Sequence, residues 1–227
     1  MKKNKGFNFK EEFKRDWYLF ILVALMFFVS FLLYSRLPER MPIHWNITGE
    51  VDNYSGRFWG AFMMPLVALG ILLLMLLTPL IDPRKENYQK FSFSYRVIRS
   101  ISIVFFSGMH FLLLSASLGY NLNIGKFVTL GVCMLFFIIG NYMPKVRHNY
   151  FVGIRTPWTL ASEKNWKKTH RLAGKLFVVS GIIMFLGIFL GDFIRFWLIM
   201  ICAIGSSLLS MVYSYLIFQK EKKDNNI

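Results

Sequence analysis

Six long apolar runs, at about 17–34, 58–80, 97–118, 124–143, 173–190 and 193–218, decide what this chain can fold into. A helix crosses the hydrocarbon core of a bilayer in about 20 residues, and each run is near that length. Hydrocarbon offers no partner to backbone N–H and C=O groups, so a spanning segment must close its hydrogen bonds within itself. The expected fold class is an all-α integral membrane protein, a bundle of six transmembrane helices. Composition agrees: 17% of the 227 residues are charged, against about 25% in a soluble domain. "FLLYSRLPER" offers no small-residue cleavage site, so the first run is expected to remain as a helix.

Basic residues orient the bundle. Of 27 Lys and Arg, 22 lie in the N-terminal tail, in 81–99, in 144–175 and in the C-terminal tail. The other side holds Arg36, Arg40, Arg57, Lys126 and Arg195. Positive charge marks the inner face, so both termini are expected to be cytoplasmic and the protein to be a multi-pass component of a cell membrane. The net charge of +15 then serves topology and meets anionic lipid headgroups. No nucleic-acid signature accompanies it, so no direct nucleic-acid partner is expected.

The predicted organisation is a basic tail over 1–16, then two spans over 17–81 with a structured external loop at 36–57. A cytoplasmic loop follows at 82–96, then a four-helix domain over 97–218 with a cytoplasmic motif loop at 144–172, and a tail at 219–227. In the first tail Phe7, Phe9 and Phe13 alternate with Lys5, Lys10, Lys14 and Arg15, a pattern that suits either a membrane surface or disorder.

The external loop gathers His44, Trp45, Asn46, Glu50 and Asp52. Pro38 and Pro42 disfavour helix, "MPIHWNI" suits an extended piece, and Gly49 and Gly56 suit turns. This polar set fits a cap at headgroup level, contact with an external ligand, or a metal. One His with scattered acids is weak metal chemistry, so no metal and no cofactor are expected. Within the membrane His110 is the polar candidate, either functional or hydrogen-bonded to a neighbouring helix. Cys133 and Cys202 sit in apolar runs and read as buried thiols.

The cytoplasmic loop contains "GIRTPWTLASEKNWKKTHRL". Pro157 should leave Arg155 and Thr156 outside a helix, and Thr159 or Ser162 suits the cap of a new helix near Glu163. Trp166, His170 and Ala173 then fall on one face. Arg155, Thr156, Trp158, Trp166, His170 and Arg171 form a candidate docking surface, with Arg155 as a planar fork for carboxylate or phosphate.

Two stretches carry a family resemblance. "NYFVGIRTPWTLASEKNWKKTHRLAGK" resembles the signature of the SdpI family of bacterial membrane immunity proteins, through Asn149, Gly153, Ile154, Arg155, Thr156, Pro157, Trp158, Thr159, Leu160, Trp166, His170, Arg171 and Gly174. "LPERMPIHWNITGEVDNYSGR" is similar to the N-terminal domain of unknown function, of DUF1648 type, often joined to that family. Its match rests on Leu37, Pro38, Pro42, His44, Trp45, Gly49 and Asp52. The resemblance implies protection against a secreted membrane-active peptide, and capture of a cytoplasmic repressor at the membrane. Two other classes stand beside it: a small transporter using His110, or an enzyme assembled from His148, Arg155, Glu163 and His170. No HExxH, phosphate loop or GxSxG elbow supports an enzyme, and no catalytic residue is assigned.

Overall fold

A helix with apolar residues on all sides gains nothing from facing water, and this chain folds accordingly. The computed structural model describes residues 9–224; the readings on Lys5 and Phe7, and on the end of the C-terminal tail, lie outside them. Helix α1 (Phe9–Arg15) leads into α2 (Trp17–Leu33), which tightens into a 3₁₀ turn at Tyr34–Arg36. A hairpin follows, β1 (Arg40–Trp45) and β2 (Val51–Gly56). The remaining helices are α3 (Arg57–Ile81), the short α4 (Asn87–Lys90), α5 (Ser92–Ser117), α6 (Ile124–Tyr142), the short α7 (Pro157–Ala161), α8 (Glu163–Gly187) and α9 (Asp192–Asp224). Six helices, α2, α3, α5, α6, α8 and α9, are long and apolar enough to cross a membrane. Their outward residues stay exposed, among them Phe31, Leu74, Leu186 and Ile201, as a surface solvated by lipid requires.

The spans form two groups of three. Leu19, Val23 and Met26 of α2 pack on Ala68, Leu72 and Leu76 of α3 and Ile103 of α5. Cys133 of α6, Met184 of α8 and Cys202 of α9 make a second core, where both thiols are free and buried. The groups meet along α5 and α6. Between α6 and α8 the backbones touch: a Cβ on Gly140 would lie 2.9 Å from the Gly174 carbonyl oxygen, and one on Gly174 would lie 2.7 Å from that of Gly140. Small residues permit this closeness in lipid, where van der Waals contact holds helices together.

Two differences from the sequence reading follow. The helix expected near Glu163 and the fifth span are one continuous rod, because nothing between Arg171 and Ala173 breaks the helix. The third span begins at Ser92 and not at 97, so Arg99 lies two turns into the helix and not in its first turn.

Candidate functional site

At one end of the bundle the 36–57 loop is a two-stranded antiparallel hairpin, with His44 opposite Asn53 and Trp45 opposite Val51. Asn46 builds the turn: its side-chain oxygen accepts from the Thr48 and Glu50 backbone N–H groups at 3.0 and 2.9 Å. Gly49 takes the positive φ of +84° that this turn needs. His44 Nδ1 lies 2.5 Å from Asp52 Oδ1, both side chains exposed. The hairpin roofs a cavity of about 350 Å³ whose rim carries His44, Trp45 and Asn46. Its walls include Met109, Leu112, Val128 and Phe196, which are apolar, with Thr129, Asp192 and Arg195 among them. Arg195 is buried and paired with Asp192. Of the five outer residues singled out from sequence, three line this cavity, Asp52 holds one of them, and Glu50 closes the turn. Arg195 had been counted only as a topology charge; an Arg inside an apolar helix was the signal.

His110 is buried in α5 and reaches α2. Its Nε2 lies 3.2 Å from the Met26 carbonyl oxygen and 3.2 Å from Ser30 Oγ, while Ser30 Oγ donates to the Ala61 carbonyl of α3 at 2.7 Å. One polar node thus ties three spans.

At the opposite end of the bundle the motif is a knot closed by its own side chains. Thr156 caps α7 in a reciprocal box: Thr159 N donates to Thr156 Oγ1 at 3.2 Å, and Thr156 N donates to Thr159 Oγ1 at 2.9 Å. Pro157 occupies the first helical turn, where its missing N–H costs nothing. Ser162 caps α8 through Asn165 N at 3.1 Å. Asn149 receives the N–H groups of Phe151 and Val152 at 2.8 and 2.7 Å and donates back to the Arg147 carbonyl at 2.8 Å. Asp82 accepts from Arg84 N, Tyr150 N and Tyr88 Oη; burial raises the Tyr88 phenol well above its ordinary range.

Three rings stack at its centre. His170 stacks on Trp166 with centroids 3.9 Å apart and planes 19° from parallel, and His148 packs against the indole at 5.0 Å, tilted by 40°. Trp166 Nε1 donates to the Val146 carbonyl at 2.9 Å. His170 Nε2 accepts the Ile154 N–H at 3.1 Å, so its proton sits on Nδ1 and is donated to the Trp166 carbonyl at 2.9 Å. Neither nitrogen is free for chemistry. Burial, and then the nearby Arg84 charge, lower the His148 pKa.

These contacts correct the expected docking surface. Trp166 and His170 are at most 1% exposed, and Thr156 is buried against Ser214 of α9 at 3.0 Å; the loop 144–156 covers the face of α8 that carries the two rings. Arg155 is exposed, one N–H donating to the Tyr150 carbonyl at 3.1 Å. Trp158 is half-buried against Tyr215. Arg171 is exposed but lies in a separate groove between α8 and α9. Sequence reasoning missed a buried ion pair between Asp16 and Arg99, with Glu12 beside it, 3.4 Å from Arg99 and 3.2 Å from Arg96. Among the described residues no cluster of three or more His, Cys, Asp or Glu is placed to hold a metal.

The fold and both regions can be compared with known proteins. The SdpI/YfhL protein family model matches residues 145–214, and a domain of unknown function, DUF1648, matches 21–69. The "Immunity protein SdpI" of Bacillus subtilis (strain 168) is 35% identical over 202 residues, which span 88% of this chain and 94% of that protein. The chain belongs to the SdpI/YfhL protein family. The motif knot lies inside the first matched segment and β1 and β2 inside the second. No solved structure matches the chain.

Proposed function

We propose that this is a membrane immunity protein, which protects its own cell from a secreted membrane-active peptide met at the outer cavity. One observation carries the reading: a largely apolar chamber under the hairpin, with buried Arg195 paired to half-exposed Asp192 in its wall. Binding sites of this kind are mostly apolar, with few polar groups that fix orientation. A hydrophobic peptide segment suits these walls, and the relative named an immunity protein supports the assignment. The test deletes the gene and exposes the cells to supernatant of their parent strain. Killing, rescued by the native chain but not by Trp45→Ala or Arg195→Gln variants of normal membrane abundance, is expected. Survival of the deleted strain overturns the reading.

A second activity on the inner face, docking of a cytoplasmic regulator, is favoured by the Arg155 guanidinium. Most of its donors remain free beside half-buried Trp158. Arg155→Lys keeps the charge and loses the fork, so capture of the regulator should weaken while toxin protection persists. Equal capture by both chains removes Arg155 from the docking surface.

A further inference from the structure

Several of the described cations near this face are already engaged. Arg15 and Arg96 reach Glu12, Arg99 holds Asp16, Lys167 pairs with Glu163 at 2.7 Å, and Lys145 sits over the Tyr142 ring at 4.6 Å. One set is gathered around a single groove. Lys164, Lys168, Arg171 and Lys175 recur at one-turn intervals along a single face of α8, and Lys220 approaches from α9. All five are exposed, and among the described residues none makes an ion pair. They border a groove of about 450 Å³ between the two helices.

The groove also has an apolar side. Leu172, Leu216 and Ile217 line it with Tyr213. Toward the membrane α9 continues with Leu209 and Val212, both more than half exposed. Its rim also carries Glu221, which accepts the Ser162 hydroxyl at 3.0 Å, and Asp224; two acids against five cations leave the groove positive. Cations above an apolar strip, at the cytoplasmic ends of two spans, match a phosphate headgroup whose acyl chains lie along the helices. Basic pockets between spans on this side hold such headgroups, and long Lys and Arg side chains reach the interface from within the apolar region.

We propose that the α8–α9 groove is a specific site for an anionic phospholipid of the inner leaflet. Its phosphate is held by Lys168, Arg171 and Lys175, and its chains cover Leu216 and Leu209. A topology signal alone needs only positive charge near the span ends; it does not need those charges facing one groove with an apolar wall.

Purified full-length chain in neutral detergent is titrated with phosphatidylglycerol, phosphatidylcholine, glycerophosphoglycerol, inorganic phosphate or a soluble acidic phosphopeptide. Thermal unfolding and native mass spectrometry read the binding. Phosphatidylglycerol should raise the melting temperature and stay bound, while phosphatidylcholine should do neither. The Lys168→Gln/Arg171→Gln/Lys175→Gln variant should bind it about tenfold more weakly or worse, and Lys167→Gln, whose charge is already paired, should match the native chain. If the triple variant does not fold, Arg171→Gln alone carries the comparison, with a loss of severalfold expected. Equal stabilisation by the soluble phosphates or the phosphopeptide overturns the proposal in favour of a water-side anion or protein site. Equal lipid retention by native and variant chains also overturns it.

Discussion

The imidazole of His170 lies almost flat on the indole of Trp166, 3.9 Å away, while its two nitrogens hold the backbone at Ile154 and Trp166. One side chain therefore fixes a loop and a helix together. Replacing it by Phe keeps much of the stack but leaves the Ile154 N–H unpaired, at a cost of about 1–3 kcal/mol. His170→Ala, which also empties the site, should cost more. Gly153→Ala should be severe too, since φ is +118° and the added Cβ meets the His170 ring. Thermal unfolding of the three variants in detergent should rank them below native; a native-like melting temperature for His170→Ala would remove the ring from the fold's support.

Asp16 and Arg99 form the second interior test. Both are fully buried, and removing one member of a buried pair leaves a charge stranded, at about 3–5 kcal/mol. Asp16→Asn should therefore lower stability sharply. The double variant Asp16→Leu/Arg99→Met should recover most of the loss, because Glu12 keeps Arg96 and Arg15. A double variant worse than either single change would show the pair contributing beyond its own charges.

Acid should loosen the motif. His148 has a pKa lowered by burial and by Arg84, so the unfolded chain binds its proton at a higher pH than the folded one. Its contribution is complete above the unfolded value of about 6.5 and is lost as the pH falls below it, at up to about 1.4 kcal/mol per unit. Melting curves from pH 8 to pH 5 should fall more steeply for the native chain than for His148→Asn. Identical slopes would assign the acid sensitivity to other groups.

Orientation is open to labelling. A Cys in place of exposed Asn53 should react with an impermeant reagent on intact cells, and one in place of exposed Lys168 should react only after lysis. Asn165 is unsuitable for this purpose, being buried with its amide donating to the Ser214 carbonyl at 2.8 Å. Native Cys133 and Cys202 are buried and give little background. The reverse pattern would invert the molecule.

What sequence disclosed, and what it hid, follows from range. The spans were legible because crossing a bilayer is a local demand on length and apolarity, and the Ser162 cap because it acts over three residues. The extended piece at "MPIHWNI" was visible, but its partner strand, Val51–Gly56, was not, since its residues are largely polar and exposed and carry no apolar alternation. Trp166, His170 and Ala173 did share a face, yet nothing in their spacing tells whether that face looks at water or at a loop. Only the fold of 144–156 decides it. Arg99 was counted among the basic residues of 81–99, and its burial depends on Glu12 and Asp16, more than eighty residues away in the chain.

Because α8 runs unbroken from the Ser162 cap to Gly187, the inner knot and the outer half of the bundle share one rigid rod, about 37 Å long at 1.5 Å per residue. Its closest backbone contact, at Gly140 and Gly174, sits partway along it like a fulcrum. A tilt of about 5° at that point would swing the far end by roughly 2 Å, comparable with the helix shifts that operate known switches. A rod pivoting there would move its Gly187 end and the His170–Trp166 stack in opposite directions.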